Sequence, residues 1–182
     1  MILEKLATEG KIDLFYGDES AVSSQGYVPY GWQFPNEKVS VLVGKERYKI
    51  NIFGLIDRNN TCHFATSEQN INANFVIEML EKLSFSIKKE TFIVLDNASI
   101  HTSKAFFARM RYWQERGLFI FFLPAYSPEL NIAETMWRIL KTKWIRPEDY
   151  LDKETLFYAV DRCMNNIGKE INIKFSPFNN IN

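Results

Sequence analysis

Three acidic residues stand at the edges of apolar runs, where acids contribute little to a core. Asp18 follows Ile12 to Tyr16, and Asp96 follows Phe92 to Leu95 in the stretch FIVLDNASIH. Glu134 lies inside YSPELNIAETMWRILKTKW. In open α/β sheets, ligands collect beyond the carboxyl ends of strands, so an apolar strand that ends on a carboxylate delivers a rigid acid to a possible site. On a helix, Glu134 shares a face with Asn131, Arg138 and Lys141, beside an apolar stripe of Ala133, Met136, Trp137, Leu140 and Trp144. That places it at the border between the core and a partly basic surface suited to a polyanion. Three carboxylates without histidine or cysteine form an oxygen-only ligand set, which selects Mg²⁺, with Mn²⁺ as substitute, over Zn²⁺. Two such ions about 3.5–4 Å apart serve phosphodiester chemistry, one activating the attacking oxygen and the other stabilising the leaving one.

Each residue also has a plainer reading. Asp96-Asn97 reads as an ordinary turn after a strand, and so does Asp18, with Glu19 as a rival candidate. Strand alternation puts Asp18 on the face of Ile12, Leu14 and Tyr16, and Glu19 on the other. Glu134 with Arg138 makes a surface i,i+4 pair worth a few tenths of a kcal/mol. His101 reads as a polar loop residue, and Cys62-His63 as a strand pair.

The elements that would position these residues follow from periodicity. Ile12 to Tyr16 reads as a short strand ending at Gly17-Asp18-Glu19. Strand-like pieces follow at Tyr27 to Phe34, Arg47 to Ile56 and, after an Asn-rich turn, Thr61 to Thr66. From Asn72 the apolar residues Phe75, Val76, Met79, Leu80 and Leu83 fall at helical spacing. A strand, Thr91 to Leu95, precedes a second helix carrying Phe106, Arg109, Met110 and Trp113, which Gly117 would terminate. Leu118 to Pro124 is a continuous apolar run, the pattern of a strand covered on both faces. Ser127-Pro128 is a helix start signal for the third helix. A fourth runs from about Asp152 through Leu156, Val160, Cys163 and Ile167 to Gly168. The tail from about residue 171 carries turn residues and no periodicity, so it is expected to be loosely held. The order predicts an α/β mixed sheet with helices on both faces, as one domain spanning 1–182.

Length and composition agree with that reading. The chain has 182 residues, 46% apolar and 24% charged, enough for one sizeable core. Its 22 basic and 22 acidic side chains cancel, which argues mildly against a dedicated nucleic-acid binder while leaving room for a local basic patch. Cys62 and Cys163 form no C-x-x-C pair, which speaks against a zinc ribbon and for a reducing, cytoplasmic setting. The stretch MILEKLATEGKIDLF has early acids and no long apolar segment, unlike a secretory leader, and no 18-residue apolar run suggests a membrane span. No G-x-G-x-x-G or P-loop follows any strand, which weighs against a nucleotide-binding α/β protein.

Taken together, LDNASIH and FLPAYSPELNIAETMWRILK resemble the DDE transposases of the mariner superfamily, in particular their bacterial insertion-sequence relatives. That family shows an Asp-Glu after the first strand, an LDNAxxH after a later one, and a PxYSPxLNPIExxWxxLK segment. Here these correspond to Asp18-Glu19, Asp96 to His101, and Pro124 to Lys141, so the resemblance covers about residues 11 to 145. It implies an RNase H-like fold and a catalytic domain for metal-dependent DNA cleavage and strand transfer. The metal-binding triad would be Asp18, Asp96 and Glu134, with Asn97 and His101 supporting it and Asn131, Arg138 and Lys141 facing DNA. Partners implied are DNA ends and target, a second copy in a homodimer when acting, and a separate helix-turn-helix polypeptide, because only about ten residues precede the first strand. A remnant that binds DNA or a protein without cleaving is the alternative. The family's Pro-Ile before the glutamate is Ile132-Ala133 here, the gap from Asp96 to Glu134 is slightly longer than usual, and the match over Gly26 to Val39 is weak.

Overall fold

The computed structural model describes residues 2–24, 35, 47–124 and 127–176. Its centre is a five-stranded sheet: β1 (Asp13–Ser23), β2 (Lys49–Ile56), β3 (Cys62–Ser67), β4 (Thr91–Leu95) and β5 (Leu118–Phe122), in the order β3-β2-β1-β4-β5. β2 and β3 pair antiparallel in a meander from β1, whereas β1 with β4 and β4 with β5 are parallel, as the alternation with helices requires. The strand expected at Tyr27 to Phe34 lies outside the described residues.

Helices α2 (Ala73–Ser84) and α3 (Lys104–Glu115) cover one face of the sheet. They are started by Asn72 and Ser103, whose side chains accept from Phe75 and Phe106 backbone N–H groups. Their core holds Val76, Leu80, Phe106 and Trp113 against Phe15, Phe53, Leu55, Ile93 and Leu95. The other face carries α4 (Ala133–Ile139) and α5 (Lys153–Asn166), packed through Met136, Trp137, Leu156 and Val160 on Leu14, Tyr16, Ile50 and Ile52. The mixed sheet clad on both faces is therefore as expected. Among the described residues, no helix is long and apolar enough to cross a membrane.

Four local expectations differ. A short helix α1 (Ile2–Thr8) precedes β1 and is tied down by buried Glu4, which accepts from Arg58 Nε and the Tyr16 hydroxyl. β1 does not end at Gly17: it continues for six more residues past Gly17, paired with β2 alone. β5 is an edge strand, and only Leu118 in it is fully buried, while Phe121 is 42% exposed. The tail is tied in through Ile173, which is buried and exchanges two hydrogen bonds with the Asn60 side chain, at 2.6 and 3.2 Å, and through the Ser176 carbonyl, which accepts from Arg58 Nη1 at 2.9 Å. Asn60 itself takes a left-handed conformation, φ 67°, at the β2–β3 turn.

Candidate active site

β1 and β4 run side by side from Asp13↔Thr91 to Tyr16↔Val94 and then separate. β4 stops at Leu95 with Asp96 just beyond, while β1 carries Asp18 and Glu19 onward beside β2. Asp18 is therefore a mid-strand residue placed where the parallel pairing gives out, and the position has the same effect as a strand end. Alternation sends it to the α4 face with Leu14 and Tyr16, as expected, and Glu19 to the opposite face.

Glu134 reaches Asp18 through a close approach of α4 to the sheet. Asp18 pairs with Gly54 across the β1–β2 ladder. A Cβ on Gly54 would lie 2.7 Å from Cη2 of Trp137, so only glycine lets the Trp137 ring settle there. Trp137 is one helical turn beyond Glu134 and fixes its height over β1. The start of α4 is fixed by Asn131, whose Nδ2 donates to the Gly17 carbonyl at 3.0 Å and whose Oδ1 accepts from Ala133 N–H at 3.1 Å.

This corrects two expectations. Asn131 does not face DNA: it is 5% exposed and its amide is committed to the backbone. The helix begins at Ala133, and Ser127-Pro128 opens only a 3₁₀ turn, Pro128–Leu130. After Ile139, α4 widens into a π-helical segment, Leu140–Trp144, closed by Ile145 N–H to the Leu140 carbonyl at 3.1 Å. Arg138 is exposed, and Lys141 is partly covered. Burial draws the Lys141 pKa down while Glu134 and Asp18 push it back up, so this ammonium stands within the field of both acids.

The Asp18 carboxyl is pushed up to about 7, first by burial and then by the negative charges of Glu134, Glu19 and Asp96. Asp18 on β1 thus stands within the field of both other expected acids, Asp96 at the β4 end and Glu134 on α4. Among the described residues, no three acid, histidine or cysteine side chains already close on a single point at ligand spacing. The chemistry of the donor set still suits a hard cation: clustered like charges on oxygen-only groups, relieved by positive charge.

Asp96 is held differently. Its Oδ1 accepts from Ala98 N–H at 3.0 Å and lies 2.9 Å from His101 Nδ1, while Oδ2 takes no hydrogen bond among the described residues. A carboxylate only accepts, so Nδ1 carries the proton. His101 is fully buried, not a loop-surface residue. Burial lowers its pKa, but Asp96 and Glu19 outweigh this and raise it to about 9. The same contact holds Asp96 below the usual carboxylate range. Asn97 steadies the turn from the other side, donating to the Leu123 carbonyl at 2.6 Å. Sequence reasoning placed both residues near the site; it weighed Glu19 only as a rival to Asp18 and missed its contact with His101.

Solved structures share this architecture. The mariner Mos1 paired-end complex with Mg superposes at a TM-score of 0.60 with 16% identity, over 90% of this chain and 51% of that one. The Mos1 strand transfer complex gives 0.57 and 16%, over 93% and 53%. The catalytic core domain of BIV integrase gives 0.55 and 12%, over 88% and 86%. The fold is thus that of RNase H-like transposase and integrase catalytic cores, and the chain spans about half the length of the Mos1 chains. No curated protein sequence matches it. The sequence profile described as DDE superfamily endonuclease matches residues 13–157, most of the chain, with all five strands and Asp18, Asp96 and Glu134 inside it, and the protein belongs to that superfamily.

Proposed function

We propose that this chain is the catalytic domain of a transposase that cleaves DNA phosphodiesters and joins the freed 3′ end to target DNA, using divalent metal ions held by Asp18, Asp96 and Glu134. The observation that carries this reading is the placing of Asp18, Asp96 and Glu134 from three separate parts of the fold, with Asp18 pushed up to about 7 by burial first and then by the charges of Glu134, Glu19 and Asp96. Bound Mg²⁺ or Mn²⁺ would supply Lewis acidity for the attacking and leaving oxygens. The chain's own residues do the rest. Asp96 presents Oδ2, which takes no hydrogen bond among the described residues, because Oδ1 is engaged by Ala98 and His101. Asp18 would exchange its proton for a cation. Glu134, on the exposed side of α4, would add a third carboxylate, its repulsion with Asp18 relieved by that positive charge. Arg138 and Lys141, on the same helical face as Glu134, receive phosphate. The mariner and integrase complexes of the same fold support DNA as the partner, and the Mos1 complexes with Mg and with Mn support the choice of ion.

The test is nicking of supercoiled plasmid in Mn²⁺ by the wild-type chain and by Asp96→Asn, with circular dichroism to confirm the fold. Cleavage by the wild type, lost in the folded variant, is the expected result. Equal cleavage by the two would remove Asp96 from the site.

A further inference from the structure

Glu19 follows Asp18 directly, yet its side chain leaves the site. It turns to the α2/α3 face of the sheet, where its neighbours along the strands are Phe15, Phe53 and Leu95. The side chain is 20% exposed, and Oε1 lies 3.1 Å from His101 Nε2. The contact pairs charges but is off the line of a good hydrogen bond, and neither atom has another partner among the described residues. The imidazole is fully buried between Phe53 and Phe106, with ring centroids 6.1 and 6.2 Å away. Its other nitrogen meets Asp96 Oδ1 at 2.9 Å.

Stability alone is a weak reason for such an arrangement. Burying an ion pair costs desolvation that an apolar residue of the same size avoids. What the pair does supply is direction. An imidazole held at Nε2 cannot swing, so Nδ1 stays on Asp96 Oδ1, and with Ala98 N–H on the same oxygen the carboxylate cannot rotate. Groups that hold a metal-binding side chain in this way typically govern affinity 10–100-fold, on the order seen when they are removed.

We propose that Glu19 is a positioning residue: through His101 it locks the Asp96 carboxylate with Oδ2 presented to a divalent cation. This rests on the reading of Asp96 as a metal ligand given above. Glu19 itself touches neither metal nor DNA.

The experiment is calorimetric titration of Mn²⁺ into the metal-free full chain, with thermal unfolding recorded on each variant. Glu19→Leu fills the same space and leaves Nε2 without a partner. It is expected to weaken Mn²⁺ binding about 10–100-fold and to lower the melting temperature, because the buried Nε2 loses its only counter-group among the described residues. Glu19→Gln, whose amide can accept from or donate to Nε2, is expected to restore most of the affinity. Should Glu19→Leu fail to fold, Glu19→Asp decides by the same criterion, because it keeps the charge and is one methylene too short to reach. Wild-type affinity in Glu19→Leu, or in Glu19→Asp if that variant has to decide, overturns the proposal. So does a Glu19→Gln variant that binds as poorly as the unpartnered form. Asp96→Asn separates the two levels. If it binds Mn²⁺ as tightly as wild type, or if the wild type binds none, the metal-site reading itself falls; if only Asp96→Asn loses binding, the positioning role alone falls.

Discussion

Asn131 donates from Nδ2 to the Gly17 carbonyl at 3.0 Å, just past the last β1–β4 pair. Asp13 N–H bonds to the Glu90 carbonyl on the β4 side, and strand groups alternate, so Gly17 also faces that side. With β4 ended, its carbonyl would be buried without a donor, and the Asn131 amide supplies one. The same side chain starts α4 at Ala133, so a single residue ties the strand that bears Asp18 to the helix that bears Glu134. Asn131→Asp keeps the acceptor for Ala133 but loses the donor and adds a negative charge beside Asp18. It should lose about 1–3 kcal/mol in urea unfolding, the cost of a buried unpaired carbonyl, and should lose Mn²⁺-dependent nicking. A wild-type unfolding midpoint would show that Asn131 carries no such strut.

Gly54→Ala should disturb the site from the far side of β1. The added methyl would sit 2.7 Å from Trp137 Cη2, inside van der Waals contact, and Trp137 is 3% exposed with little room to yield. Overpacking of this kind costs about 1–3 kcal/mol. The displaced ring carries α4 with it, and Glu134 moves away from Asp18. Mn²⁺ affinity measured by calorimetry should fall in the variant even where it remains folded. If affinity holds, Trp137 does not set the height of α4.

Much of this was legible because the two periods of the chain are clean. Strand alternation separated Asp18 from Glu19 correctly, and helical spacing put Glu134, Arg138 and Lys141 on one face. What escaped were features set by tertiary contacts. β1 reads as ending at Gly17 because glycine and two acids follow, but antiparallel pairing with β2 overrides their weak strand preference. Ser127-Pro128 carries a helix start signal that opens only one 3₁₀ turn, and Asn131, engaged with Gly17, restarts the helix later. Asn131 looked like a surface polar residue by spacing, and no periodicity could reveal that a strand carbonyl needed its amide. His101 and Glu19 lie far apart in sequence, so their contact is invisible until the sheet brings β1 beside the β4 end.

Glu81 offers a change that should leave the site alone. Its carboxylate accepts from Arg116 Nη1 at 2.7 Å and Trp113 Nε1 at 2.9 Å and lies 2.6 Å from Arg109 Nη2, joining α2 to α3. Arg109 and Arg116, through hydrogen bonds, draw it down to about 2. An acid depressed from its ordinary 4.5 stabilises the fold above that value and loses the contribution as pH falls toward 2. Glu81→Ala also leaves the fully buried Trp113 N–H without its acceptor, at a cost of about 1–3 kcal/mol. Urea midpoints at neutral pH should fall accordingly, the gap to wild type should narrow in acid as the charge contribution goes, and Mn²⁺ binding should be unchanged at neutral pH.

Stability of the metal-free chain should fall as pH rises, through two groups in succession. Asp18 has its pKa raised from 3.8 to about 7, so the folded state holds a proton that the unfolded chain has released, and this advantage disappears across that interval. His101 is raised from 6.5 to about 9, so its contribution is complete below 6.5 and is lost as pH passes 9. Melting temperatures recorded from pH 5 to 9 should decline throughout. Asp18→Asn should flatten the part below 7 and leave the upper part. A wild-type profile flat across both intervals would contradict the charge arrangement described here.

Mn²⁺ affinity should move the opposite way. A cation on Asp18 displaces the proton that Glu134, Glu19 and Asp96 help to hold there, so binding releases about one proton where Asp18 is protonated. Affinity should therefore climb toward a pKa of about 7 and level off above it. Titrations in buffers of differing ionisation heat give the proton count directly: close to one at pH 6 and little at pH 8. In Asp18→Asn the residual binding should release no proton at pH 6. Affinity independent of pH over this range, with wild-type stoichiometry, would mean that the cation sits away from Asp18 and that the three carboxylates do not act as one site.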